Sequence, residues 1–122
     1  METVVVVDGK EDERVSIVEA LQERYRVLQA IDQDQALSLI EANTQALIVV
    51  AEDTPPGPAP ELITALREAT RAPLVVIGDE ALLTDVEALS LGADYYALRP
   101  IQPSLLIPRL RSLLRRWRRD RE

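Results

Sequence analysis

Three short apolar runs, Thr3–Val7 (TVVVV), Leu47–Ala51 (LIVVA) and Leu74–Ile77 (LVVI), constrain the fold more than any other feature of this chain. They are rich in β-branched residues and continuous instead of alternating. A strand with one wet face alternates apolar and polar residues, whereas a strand covered on both faces has no polar side to show. The runs therefore predict the inner strands of a parallel sheet. Two weaker runs, Arg26–Ala30 (RVLQA) and Tyr95–Leu98 (YYAL), have the mixed character expected nearer the sheet edges.

The intervening segments carry helical spacing. Val15, Ile17, Val18 and Leu21 predict one face of a helix from about Asp12 to Arg24, and Ala36, Leu39 and Ile40 mark a second, with Asp32 or Asp34 available as its cap. A third begins after Pro60 and runs through Leu62, Ile63, Leu66 and Ala69. A fourth spans about Leu82 to Ser90 and stops at Gly92, and the last starts near Pro103. Its stripe of Leu106, Leu110, Leu113, Leu114 and Trp117 is expected to face the sheet, with the arginines in water. Pro108 conflicts with that helix, since a proline in a helix interior costs about 3 kcal/mol. The expectation is a kink there or a later start.

Strand and helix thus alternate five times, the pattern of an α/β fold with a doubly wound parallel sheet. A chain of 122 residues supports one hydrophobic core, so residues 1–122 are expected to be a single domain. With no cysteine and no histidine, disulfides, thiolate or histidine nucleophiles and His-ligated metals are excluded. The absence of a long apolar run or a signal pattern points to a soluble, cytoplasmic protein without a membrane partner. The net charge of -7 is unevenly spread: residues 109–122 hold seven arginines against two acids, +5, so the rest carries -12. Such a basic end suits either a nucleic-acid contact or the solvated side of a last helix leading into a linker. The acidic body repels phosphate backbones and favours the second, so nucleic acid is not expected as a partner of this domain alone.

In an open parallel sheet, ligands and chemistry sit at the carboxyl ends of the strands. Those ends supply Asp8 and Gly9, then Ala51, Glu52 and Asp53, then Gly78 and Asp79, and last Arg99. Val6-Val7-Asp8, Pro55, the segment Pro60–Arg67, Pro73–Ile77, Gly92-Ala93-Asp94-Tyr95-Tyr96, the pair Arg99-Pro100 and Pro103 follow in order with almost no gaps. Together they resemble the response-regulator receiver domain over essentially the whole chain. The resemblance implies the flavodoxin-like (β/α)5 architecture with strand order 2-1-3-4-5. It also implies phosphoryl transfer to an aspartate after the third strand. An acidic pair after the first strand holds Mg²⁺, a Ser or Thr after the fourth reports the phosphoryl group, and a Lys before the proline neutralises charge.

The sequence departs from that pattern at nearly every position. Asp8 is kept, but Gly9 replaces the second carboxylate. Counting back from Pro55 puts Ala51 at the acceptor position, Gly78 replaces the hydroxyl residue, and Arg99 replaces the lysine with a planar fork. A methyl group cannot be phosphorylated. A one-residue shift would instead bring Glu52 to the acceptor position, as a mimic of the phosphorylated state paired with Arg99, and Asp53 becomes an acceptor only if the loop is rebuilt. No cofactor is expected. Weak Mg²⁺ binding by Asp8 with Glu52, Asp53 or Glu11 is the alternative to an acidic rim that is merely solvated.

These departures predict a pseudo-receiver that works without phosphorylation, has no enzymatic activity, and binds a protein partner or a second copy. The resemblance implies a docking face from the fourth helix through the fifth strand and helix, here including Glu87, Asp94, Tyr96, Arg111 and Arg115. Tyr96 matches an aromatic that moves on activation in the family. With Gly78 in place of the hydroxyl residue, nothing in the sequence pulls it inward, and the expectation is a half-buried tyrosine in a frozen switch. The alternatives are a phosphoaccepting regulator using Glu52 or Asp53, and the N-terminal receiver of a DNA-binding transcriptional regulator.

Overall fold

Five strands and five helices alternate along residues 1–121, the residues described by the computed structural model. The strands are β1 (Thr3–Val7), β2 (Arg26–Ala30), β3 (Leu47–Ala51), β4 (Leu74–Gly78) and β5 (Tyr95–Leu98). The helices are α1 (Glu11–Leu21), α2 (Gln33–Ala42), α3 (Ala59–Ala69), α4 (Asp85–Ser90) and α5 (Pro103–Asp120). Glu122, the last residue of the basic end, lies outside the described residues.

All strand pairs are parallel, in the order β2-β1-β3-β4-β5. The three continuous apolar runs fill the centre, and the two mixed runs lie at the edges, as both-face burial requires. Strand alternation divides the core in two. Val5, Val7, Ile48, Val50 and Val76 pack beneath α2, α3 and α4. Val4, Val6, Val49, Val75 and Ile77 pack beneath α1 and α5. The parity of a residue along its strand therefore decides which face of the sheet it serves.

The helix boundaries differ locally from expectation. α1 ends at Leu21 and buries Ile17, Val18 and Leu21, while Val15 falls off the stripe and is exposed. Asp32, not Asp34, caps α2, its side chain accepting from the Gln35 amide at 2.8 Å. α4 starts only at Asp85, because Thr84 and Glu87 form a reciprocal capping box there. It gives way to Gly92, whose φ of 114° is open to glycine at little cost. Helix α5 runs through Pro108 without a break. The proline sits on the exposed side of the helix, away from the buried stripe of Leu106, Leu110, Leu113 and Leu114.

Candidate functional site

The register pairs Val7 with Val50, which brings Asp8 beside Ala51 at the carboxyl edge of the sheet. Both continue the parity of Val6 and Val49, so both belong to the α1/α5 face. Asp8 is fully buried. Its Oδ1 accepts from the Lys10 amide at 2.9 Å, and its Oδ2 has no donor. Gly9 cannot carry a second carboxylate in this packing, since a Cβ there would press on the Pro55 ring and the Ile31 carbonyl.

Arg99 enters the same space from the end of β5 and is held on two sides. Its Nε donates to Glu13 Oε1 at 2.6 Å and its Nη2 to Glu13 Oε2 at 2.9 Å, a two-pronged pair. The same Nη2 donates to Asp53 Oδ1 at 2.8 Å, and Lys10 Nζ lies 2.7 Å from Asp53 Oδ2. Arg14 closes the circuit by donating to the Asp8 carbonyl at 2.9 Å. Two carboxylates, Glu13 and Asp53, thus meet two cations, Arg99 and Lys10, with the Asp8 carboxyl beside them and unpaired by either.

Titration follows from this arrangement. Burial first, then the facing Glu13 carboxyl, push Asp8 up to about 7. Burial also pushes Glu13 up, but hydrogen bonds from Arg99 and then Asp8 outweigh it and hold Glu13 below the usual carboxylate range. Asp53 behaves likewise: burial raises it, while Lys10 and Arg99 together bring it down. Arg99 is held still more firmly protonated by Glu13. A proton on Asp8 satisfies the oxygen that no donor reaches, and it leaves the pair with one charge in place of two facing each other.

Glu52 lies elsewhere. One residue beyond Ala51, it takes the parity of Val50 and turns into the core under α2, α3 and α4, with only 1% of its surface exposed. Its Oε1 accepts from the Tyr96 hydroxyl at 2.8 Å, and its Oε2 accepts a longer bond from the Leu82 amide at 3.4 Å. The Tyr96 oxygen in turn accepts from the Glu80 amide at 2.8 Å. Burial, then the Glu52 carboxyl, push the phenol up to about 12. Gly78 makes the space: a Cβ on it would fall well under 3.0 Å from both Glu52 Oε1 and the Tyr96 hydroxyl.

Two expectations are corrected by this geometry. Glu52 pairs with Tyr96 and not with Arg99, because a one-residue step along a strand crosses the sheet instead of advancing toward Asp8. Tyr96 is pulled inward, and the partner that pulls it is Glu52.

No family model matches the chain. The transcriptional regulatory protein CpxR of Escherichia coli K12 is 30% identical over 120 residues, covering 95% of this chain and 50% of that protein. A probable transcriptional regulator ycf27 of Cyanophora paradoxa is 31% identical over 111 residues, 86% of this chain and 46% of the relative. The chain therefore spans about half the length of the curated relatives it matches. The receiver domain of the Francisella response regulator 1452 superposes with a TM-score of 0.85 at 26% identity, over 95% of this chain and 98% of that one. A two-component response regulator from Clostridium difficile gives a TM-score of 0.86 at 22% identity, over 96% and 98%. This chain is a response-regulator receiver domain.

A receiver of the familiar kind holds Mg²⁺ at this edge, and the residues of this one do not fit it. Of the carboxyl groups on the α1/α5 face, Asp53 is bound by Lys10 and Arg99, and Glu13 is bound by Arg99. Among the buried carboxyl oxygens of the described residues, Asp8 Oδ2 alone is free of donors. Two fixed cations beside it repel a dication, and Glu52 serves the other face. Glu11 is exposed at the start of α1. Among the described residues, no group of three or more acidic side chains is arranged to hold a metal ion.

The receiver's α4–β5–α5 face also differs from the list of charged residues expected for it. Tyr96 is buried, so it is not part of the surface. Asp94 is engaged at the far end of β4, accepting from the Leu74 amide at 2.8 Å and pairing with Arg67 of α3 at 3.2 Å. Glu87 turns its carboxyl back to the Thr84 amide. Arg111 and Arg115 are exposed on α5. The prominent groups on the face are apolar: Val86 and Leu89 of α4, Leu98 of β5 and Leu105 of α5 are 67%, 47%, 55% and 65% exposed. Val86, Leu89 and Leu105 fall out of phase with the buried residues of their own helices, whereas Leu98 shares the parity of the buried Tyr96 and is exposed because it ends the edge strand. No helix among the described residues is long and apolar enough to cross a membrane.

Proposed function

We propose that this receiver acts as a phosphorylation-independent pseudo-receiver and signals by binding a protein partner or a second copy through its α4–β5–α5 face. The observation that carries the reading is Ala51. It stands beside Asp8 where a receiver takes its phosphoryl group, and a methyl group offers no oxygen to attack. Arg99, which would otherwise neutralise an incoming phosphoryl group, is already held by Glu13 and Asp53. The exposed apolar side chains along α4, β5 and α5 supply a surface suited to a protein. On this reading the domain needs no Mg²⁺, has no enzymatic activity of its own, and works in the cytoplasm.

The test is to incubate the protein with acetyl phosphate and Mg²⁺ and measure its intact mass. No phosphoryl adduct is expected. An adduct mapped to Asp53 or Glu52 overturns the reading in favour of a displaced acceptor.

A second proposal concerns the longer protein. The named relatives are transcriptional regulators about twice the length of this chain, which favours a receiver that precedes an output domain with DNA as its target. Reading the gene through and beyond codon 122 decides it.

A further inference from the structure

We propose that the Glu52–Tyr96 hydrogen bond is a built-in latch that fastens the loop between β4 and α4, so that α4 keeps one position without any phosphoryl group. The proposal deepens the phosphorylation-independent reading and rests on it for the claim that nothing else sets the loop.

Glu52 arrives from β3 and Tyr96 from β5, and they meet across β4 in the space left by Gly78. From there the pair reaches into the segment between Gly78 and Thr84. The Glu80 amide donates to the Tyr96 oxygen, the Leu82 amide donates to Glu52, and the Tyr96 hydroxyl lies 3.3 Å from the Leu83 carbonyl. The first backbone bond of α4 begins only at Thr84, where its carbonyl accepts from the Ala88 amide. Apart from the Ala81 amide, which Asp79 takes, and the buried Leu83 side chain, the loop is thus fastened by these two side chains.

Glu80 shows what the fastening sustains. Its φ is +65°, a conformation that non-glycine residues hold only where their surroundings fix them. The bond from its amide to Tyr96 is such a fixture.

The inward position of Tyr96 is also the one that Glu52 requires. Moving the ring out would leave a carboxyl group with 1% exposure holding only the long bond from Leu82. A buried polar group without partners is strongly disfavoured. The second acceptor within reach of the hydroxyl, the Leu83 carbonyl, belongs to the same loop, and so the loop, and with it Val86 and Leu89 on α4, stays in one arrangement.

Amide hydrogen exchange measured by NMR on the full chain tests this, with neither phosphodonor nor Mg²⁺ present. The outcome therefore does not depend on whether the chain accepts phosphate. Tyr96→Phe keeps the ring and removes the hydroxyl; Glu52→Ala removes the acceptor. Each is expected to speed exchange of the Glu80 and Leu82 amides about tenfold, the loss expected for one hydrogen bond. The amides of β1 and β3 should change far less. Should Glu52→Ala fail to fold, Tyr96→Phe decides alone. The proposal is overturned if Glu80 and Leu82 in Tyr96→Phe exchange within about twofold of wild type. It is overturned equally if the acceleration spreads evenly over β1 and β3.

Discussion

Gly78→Ala is the sharpest test of the space shared by Glu52 and Tyr96, because two physical effects give it opposite signs. In a strand with room for a methyl group, replacing glycine by alanine stabilises by about 0.5–1 kcal/mol through reduced freedom of the unfolded chain. Here the new Cβ collides with Glu52 Oε1 and the Tyr96 hydroxyl. Those atoms end flexible side chains, yet they sit in a closed core and cannot swing into water. Overpacking of this kind costs about 1–3 kcal/mol. The lost hydrogen bond, with its buried groups left short of partners, costs about 1–3 kcal/mol more. Net destabilisation of about 2–4 kcal/mol is expected, read as a lower urea midpoint, with a slope of about 1–3 kcal/mol per molar urea for a domain of this size. Glu52→Ala removes much of the obstruction, so the double variant should be more stable than the two single losses predict, by about 1 kcal/mol or more. If Gly78→Ala stabilises the protein, or the two substitutions add to within about 0.5 kcal/mol, the packing argument fails.

Asp8 gives a pH dependence of unusual sign. Its folded value of about 7 lies above the unfolded aspartate value of about 3.9, so its contribution is greatest below about pH 4 and is lost as pH rises toward and through 7. Asp8→Asn removes this loss, and its stability relative to wild type should improve by about 2–3 kcal/mol between about pH 5 and pH 8 in urea titrations; a constant difference refutes it. Arg99→Ala leaves Glu13 and Asp53 without their shared cation and should cost about 1–3 kcal/mol. Arg99→Lys should recover less than half of that, since an ammonium cannot fork to Glu13 and still reach Asp53; full recovery in thermal melts counts against the network. Glu80→Gly relieves about 1–2 kcal/mol of left-handed strain against about 0.5–1 kcal/mol of added chain entropy. A slightly higher melting temperature is therefore expected, and Glu80→Ala should show none.

Much of this was legible in residue patterns because those patterns are local. Val4 to Val7 declare a strand covered on both faces without reference to anything else in the chain, and the same holds for β3 and β4. Gly92 marks the end of α4 and Asp32 the start of α2 for reasons confined to a few neighbouring residues. The site resisted where the deciding partner is remote. Nothing near Glu52 announces that Tyr96, 44 residues on, will donate to it, nor that Glu13 will meet Arg99 across 86 residues. Glu13 and Lys10 are an acid on the first turn of α1 and a base just before it, with nothing local to set them apart. Pro108 misled for a related reason: whether a proline disturbs a helix depends on the face it occupies, and the face follows from packing.

The parity of β3 ties these features together. Ala51 and Glu52 are neighbours in the chain but address opposite cores, and each supports a self-contained arrangement on its side. On the α1/α5 side, Arg99 and Lys10 answer Glu13 and Asp53, so the space carries its own cations. On the other side, the missing side chain of Gly78 admits a carboxyl group and a phenol that satisfy each other. A receiver pocket that had simply lost its acceptor would leave buried charges facing nothing. Among the described residues, Asp8 Oδ2 is the one buried carboxyl oxygen left without a donor, and Asp8 is the group whose raised affinity for a proton removes that deficit. Gly78 and Arg99 are thus better understood as parts of two closed networks than as two separate departures from the receiver pattern. Adding a side chain at Gly78, or replacing Arg99 by lysine, would break one of these networks without supplying an acceptor at Ala51.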